Sequence, residues 1–418
     1  MDINMVKSNG INLTDEEILI LNNLTYLFEK LPSSKINDLT SKRLPVKDLI
    51  KESSFQTVRK KQETTIWDGG ISGKEWADMI DEINNNPKFD EIIVGGVSSK
   101  NNGVGAIYFT DRDEKNAIVV FGGTGDKEWL DNFEGGYLSD TKAQKEALEW
   151  FEKLTNRKGE KFEYITLSGH SKGGNKAKYI TIKSDNVDRC LSFNGQGFSP
   201  KFIRENKTAI LKNRGKITSY SLDKDFVNVL LFDIGEKKFY IKGHGVDNFI
   251  QNHTSNSFLN KDMKFDFGNQ DKTMKEIHNF ITIFINTVSD VQIKVVLDYL
   301  GNIFNLALGE HNTKAAIAYA LNPANAQAAA IFLTYALRYQ ELSDVDIVAI
   351  IKYLLSDIKL LRDPLSVIFD AFLYLFSDNE TVMLAAHGIR TAALFGIEKE
   401  HTDFFDKVVY IATHINIW

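Results

Sequence analysis

Four short runs of β-branched and aromatic residues, each separated from the next by a helix-length stretch, constrain this chain more than any other feature. They are "NAIVVFGG" at 116–123, "KFEYITLSG" at 161–169, "RCLSFNGQG" at 189–197 and "KITSYSLD" at 216–223. Between them lie an amphipathic stretch over about 139–154, then "KGGNKAKYITIKS" and "SPKFIRENKTAIL". Strands with helices between them have no neighbouring strand to form hairpins with, so they pair in parallel and carry the helices on their faces. "EIIVGGV", "GVGAIYFTD" and "KKFYIKG" (237–243) read as further strands. The expectation is an α/β fold with a mostly parallel sheet and helices on both sides.

The flanks read differently. Thr14-Asp15-Glu16-Glu17 has the form of a capping box. Ile18, Leu21, Leu24, Leu27 and Phe28 then recur at helical spacing, predicting a helix that ends near Leu31-Pro32. "GISGKEWADMIDEI" (70–83) predicts another helix. After about residue 272 the strand signal stops: "KEIHNFITIFINTV", "VQIKVVLDYLGNIFNLALGE" and "VDIVAIIKYLLSDIKLL" are all periodic at helical spacing. With 418 residues to distribute, the reading is an α/β domain over 1–271 and an all-helical region over 272–418. Ala315 to Leu337 carries no charge and is long enough to cross a bilayer. Asn322-Pro323 interrupts it, so it reads as two buried helices.

Gly169-His170-Ser171-Lys172-Gly173 matches G-x-S-x-G, with a strand signal before it and a helix signal after it. A serine hydroxyl is a poor nucleophile unless a base takes its proton and its Oγ stands clear of the sheet. The strand-to-helix elbow meets the second need, which makes Ser171 the candidate nucleophile. A plain turn with Ser171 as N-cap is the alternative. An acyl intermediate also requires two preorganised donors for its oxyanion. The amide of Lys172, the residue after the serine, is one candidate. Thr124, in the Gly122-Gly123-Thr124-Gly125 loop after a strand ending at Phe121, is the other. The Lys172 side chain is expected in solvent, with an anionic head group as its alternative partner. His170, adjacent on the elbow, is expected to be structural and to point away from Oγ.

The acid should follow a later strand, where Asp223 and Asp225 both stand. Position alone does not separate them. The base should be a histidine beyond the acid. His244 and His253 lie nearest the last strand; His278, His311, His387, His401 and His414 fall in the helical region. The glycine loop lacks the G-x-x-x-x-G-K-[ST] phosphate cradle, and Gly195-Gln196-Gly197 is only a fragment of a dinucleotide fingerprint. A single cysteine, Cys190, excludes an intrachain disulfide and any multi-cysteine metal site. No cofactor and no metal are expected. A net charge of −6 offers no basis for nucleic-acid binding.

"VVFGGTGDKEWLDNF", "LSGHSKGGNKA" and "SLDKDFV" together resemble the bacterial lipase-like α/β-hydrolases grouped as a family of unknown function, and more distantly the class 3 (fungal-type) lipases. The resemblance spans roughly residues 10–265 and implies an α/β-hydrolase fold. It places the oxyanion amide at Thr124, with Gly122 where those lipases carry arginine. It maps the acid of a D-x-V motif onto Asp225, ahead of Asp223. It also favours His253 over His244 as base, because "NHTSNSF" approximates H-x-x-x-x-W with Phe258 for tryptophan.

The function expected is a serine esterase or lipase that cleaves carboxylic esters, with lipid or phospholipid acyl esters implied by the resemblance. The alternatives are an acyltransferase built on the same triad, or a non-enzymatic scaffold that presents the helical region to a protein partner. Expected partners are therefore an acyl ester or lipid, a membrane surface met peripherally, and a protein bound through the C-terminal helices. "MDINMVKSNG" lacks a basic stretch followed by an apolar run, so a cytoplasmic location is expected.

Overall fold

The computed structural model describes residues 10–28, 41–60, 71–99, 104–125, 128–156, 162–244, 251–342 and 407. The segments Met1–Ser8, 345–361 and the histidines His387, His401 and His414 lie outside the described residues.

The helices run in chain order α1 (Asp15–Phe28), α2 (Val46–Leu49), α3 (Ser53–Lys60), α4 (Gly73–Asn85), α5 (Trp129–Glu134), α6 (Lys142–Thr155), α7 (Lys172–Lys183), α8 (Pro200–Glu205), α9 (Lys207–Asn213), α10 (Lys272–Thr287), α11 (Asp290–Phe304), α12 (Thr313–Ala320) and α13 (Ala326–Leu342). The strands are β1 (Ile93–Ser98), β2 (Ala106–Thr110), β3 (Asn116–Phe121), β4 (Tyr164–His170), β5 (Arg189–Phe193), β6 (Ile217–Leu222), β7 (Lys237–Ile241) and β8 (Phe267–Gly268). Packing divides the chain into two compact units. One comprises Met1–Gly125, Asp140–Phe198 and Phe202–Met274; the other comprises Asp126–Ser139, Ser199–Lys201 and Lys275–Trp418.

The first unit holds one eight-stranded sheet whose spatial order is the sequence order. β3 to β7 are parallel, as the alternating pattern predicts, while β1, β2 and β8 pair antiparallel at the edges. The connections β1–β2 and β2–β3 are too short for a crossover helix, so those strands can only fold back as hairpins. The connections β3–β4, β4–β5 and β5–β6 carry helices. Because such crossovers are right-handed and the strand order never reverses, α6, α7, α8 and α9 fall on one face.

Two apolar clusters record the two faces. Val119 and Phe121 of β3, Leu167 of β4 and Cys190 of β5 pack with Ala147 and Phe151 of α6 and with Ala177 and Ile180 of α7. The alternate residues, Ile118 and Val120 of β3 with Leu191 and Phe193 of β5, pack with Leu21 and Leu24 of α1 and Trp76 and Ile80 of α4. This period-2 division is what a strand buried on both faces requires.

Capping chemistry sets where several helices begin. Thr14 and Glu17 close a reciprocal cap on α1, with Thr14 N–H donating to Glu17 Oε2 at 2.6 Å. Ser72 with Glu75 caps α4, and Thr141 with Gln144 caps α6. The stretch 199–211 reads as one helix but folds as α8 and α9, broken at Asn206.

The second unit is helical where described. Phe133 of α5 lies 5.3 Å from Phe304, and Tyr137 Oη donates to Asp298 of α11 at 2.6 Å. The uncharged stretch Ala315–Leu337 is two helices, α12 and α13, parted by a 3₁₀ turn over Pro323–Asn325, with Asn322 accepting from the Ala324 amide. Ala316, Ala320, Ala330 and Tyr335 on these helices are fully buried.

Candidate active site

Ser171 sits between the end of β4 and the start of α7 with φ 58° and ψ −124°, a conformation costly for any residue with a Cβ. The turn is tight enough to exclude side chains at the two flanking glycines. A Cβ on Gly173 would stand 2.0 Å from the Phe121 carbonyl oxygen, and one on Gly169 would stand 2.2 Å from the Gly173 carbonyl carbon. The small residues of G-x-S-x-G are therefore a steric requirement here. The Ser171 amide is held by the Phe193 carbonyl at 2.9 Å.

His253 lies in a 3₁₀ turn (Gln251–His253), far along the chain from the elbow. Its Nδ1 is 2.6 Å from Asp225 Oδ1 and its Nε2 is 2.8 Å from Ser171 Oγ. A carboxylate accepts only, so Nδ1 carries the proton and Nε2 is left as the acceptor for the serine O–H. Asp225 is fully buried. Its second oxygen accepts from the Asn228 amide at 2.7 Å and from Asn228 Nδ2 at 2.9 Å. Asn228 Nδ2 also reaches the carbonyls of Leu222 and Asp225, so one side chain fastens the whole acid turn.

The two alternates lie elsewhere. Asp223 Oδ1 accepts from the amides of Lys224 and Gly243, which ties the turn after β6 to the end of β7. His244 is exposed and donates Nε2–H to Glu75 at 2.9 Å. Ser171, Asp225 and His253 are thus brought together, while Asp223 and His244 serve the loop around β7.

The Gly122–Gly125 loop runs beside the serine. A Cβ on Gly123 would fall 3.6 Å from Ser171 Cβ, and the Gly122 amide is anchored by the Gly105 carbonyl at 2.8 Å. Lys172 opens α7, so its amide belongs to the first helical turn, where N–H groups lack intrahelical acceptors. The Lys172 side chain departs from expectation: it is 2% exposed, not solvated. Lys176 and Lys178 on the same helix are buried as well. Lys176 donates to the Val104 carbonyl, and Lys178 bridges the Gly195 carbonyl and Asp233.

His170, expected to be structural, is joined to the site. Its Nδ1 bonds Tyr26 Oη, and its Nε2 donates to the His253 carbonyl at 2.7 Å. The two imidazoles face each other with centroids 4.8 Å apart. Asn194, at φ 48°, adds a longer contact to the same carbonyl at 3.4 Å and accepts from the Leu222 amide. The turn after His253 is held from two more sides. Ser255 Oγ donates to Asn23 Oδ1 of α1, and Asn256 Nδ2 donates to Glu75 Oε1. Burial works to raise the Glu75 pKa, but hydrogen bonds from His244, Ser72 and Asn256 outweigh it and hold the carboxyl down at about 2.

Sequence reasoning missed Tyr26, Asn23, Asn194 and Asn228. Tyr26 and Asn23 lie on a helix that shows only an apolar periodicity, and nothing in the sequence pairs them with residues more than a hundred positions away. Asn228, three residues from Asp225, had a local signal: asparagine and aspartate at that spacing favour a side-chain-stabilised turn.

No curated protein and no solved structure matches the chain. A family model described as Mbeg1-like matches residues 84–302, just over half of the chain, a span that takes in all eight strands and Ser171, Asp225 and His253. On that match the chain belongs to the Mbeg1-like family.

Proposed function

We propose that this protein is a serine hydrolase that cleaves carboxylic esters through an acyl-enzyme. The observation that carries the reading is the hydrogen-bonded line from Ser171 Oγ through His253 to a buried Asp225, with the serine raised on a strained elbow. In the reaction Ser171 Oγ attacks the ester carbonyl carbon while His253 Nε2 takes the hydroxyl proton. The amides of Lys172 and Thr124 receive the oxyanion. Collapse expels the alcohol, which leaves with the proton from His253. Water then gives a proton to His253 and attacks the acyl-serine, releasing the acid and restoring the hydroxyl. Asp225 keeps Nδ1 protonated and stabilises the imidazolium formed in each half-reaction.

Lipid acyl esters, phospholipids among them, are the substrate class we favour. The likeness of the 119–133, 167–177 and 221–227 segments to lipase-like hydrolases and class 3 lipases supports it. A fluorophosphonate probe should label Ser171 in the folded protein, and esters of graded chain length should then rank the acyl preference. A folded, unlabelled protein would instead favour the scaffold role.

A further inference from the structure

Helix α1 lies outside the span matched by the family model, yet its polar side chains converge on the site. Tyr26, Asn22 and Asn23 are 8%, 1% and 0% exposed among the buried apolar residues of the helix. Polar groups so buried are costly unless they are bonded, so their placement needs a reason. Each bonds a different part of the catalytic framework. Asn22 Nδ2 donates to Ser168 Oγ at 2.7 Å, three residues before the nucleophile. Asn23 Oδ1 accepts from Ser255, two residues after His253. Tyr26 Oη bonds His170 Nδ1 and also lies against the oxyanion-type loop, where a Cβ on Gly123 would come within 2.9 Å of it.

The proton positions follow from the acceptors. The His253 carbonyl can only accept, so His170 carries its proton on Nε2, and Nδ1 must accept from the Tyr26 hydroxyl. Tyr26 therefore selects the tautomer in which His170 can hold the backbone of His253.

We propose that α1 positions the general base: Tyr26 through His170, and Asn23 through Ser255, hold the His253 turn so that Nε2 stays within reach of Ser171 Oγ. The inference rests on the serine-hydrolase reading above. Tyr26, Asn23 and His170 are positioning residues in it, since none touches the reacting atoms.

The test uses the full chain, with fluorophosphonate labelling rate and the kcat and KM for a short nitrophenyl ester as readouts. A misplaced base weakens a contact made in the transition state, so Tyr26→Phe should lower the labelling rate and kcat by about 10- to 100-fold and leave KM nearly unchanged. His170→Leu should lose as much. His170→Gln retains a donor at the Nε2 position and should restore most of the loss seen in His170→Leu. In the His170→Gln background Tyr26→Phe should add no further loss, because the contact it removes is already gone. Wild-type labelling rates in both Tyr26→Phe and His170→Leu would overturn the proposal. If Tyr26→Phe does not fold, the contrast between His170→Gln and His170→Leu decides: equal rates overturn it, and faster labelling of the glutamine variant supports it. No labelling of folded wild-type protein would overturn the hydrolase reading itself, and this proposal with it.

Discussion

Two aspartates two positions apart, Asp223 and Asp225, have different fates because the chain turns between them. Asp225 is buried and meets His253, while Asp223 faces the amides of Lys224 and Gly243. Asp225→Asn should cost about 10⁴ in kcat, because an amide no longer holds the base in the required tautomer. Asp223→Asn should leave kcat within a few-fold of wild type, and steady-state kinetics on a soluble ester compares the two directly. Ser171→Ala should abolish both labelling and turnover, whereas His244→Ala should retain them. Order along the chain could suggest a Ser-Asp-His set, but not which members meet. That depends on the direction of a single turn and on the 3₁₀ segment that delivers His253.

The elbow and the helix after it show how elements carry the chemistry. Gly173→Ala would drive a methyl to 2.0 Å from the Phe121 carbonyl, so the strand and helix must part. The expected outcome is a marked fall in melting temperature together with loss of labelling. α7 opens on Lys172-Gly173-Gly174 and carries three buried lysines, Lys172, Lys176 and Lys178, which no reading of "KGGNKAKYITIKS" would place inside. Lysine usually stays solvated; the Val104 carbonyl at Lys176, and the Gly195 carbonyl with Asp233 at Lys178, offset part of the cost of burial. Asp233→Ala strands the Lys178 charge, and urea denaturation should show a loss of about 3–5 kcal/mol.

The cap on α4 carries a pH signature. The Glu75 carboxyl titrates at about 2 in the folded chain against 4.5 for the free group, so its contribution to stability is complete above pH 4.5 and fades as the pH falls towards 2. Melting curves of wild type and Glu75→Gln should accordingly differ at pH 6 and converge in acid.

At the scale of the whole molecule, the helical unit is not simply the C-terminal part of the chain. It also takes in Asp126–Ser139, the segment that follows the Gly122–Gly125 loop. Asp290–Gly309 within it is, among the described residues, long and apolar enough by length and composition to cross a membrane. An amphipathic or strongly apolar helix left partly open binds lipid surfaces through its apolar area. If lipid esters are the substrates, turnover should rise steeply once a medium-chain ester passes from monomers into vesicles. A rate that follows only the monomer concentration would count against lipid surfaces as the site of action.

The sequence by itself determined the alternation of strands and helices, the parallel core of the sheet, the caps on α1 and the elbow around Ser171. These follow from local physics: side-chain periodicity, end-group hydrogen bonds and the room available around a tight turn. Only the tertiary structure decided that Asp225 and not Asp223 meets His253, that His170 bonds the His253 carbonyl, and that Tyr26 and Asn23 of α1 bond His170 and Ser255. Those choices join residues 28 to 232 positions apart along the chain. Local propensity carries no record of such pairings.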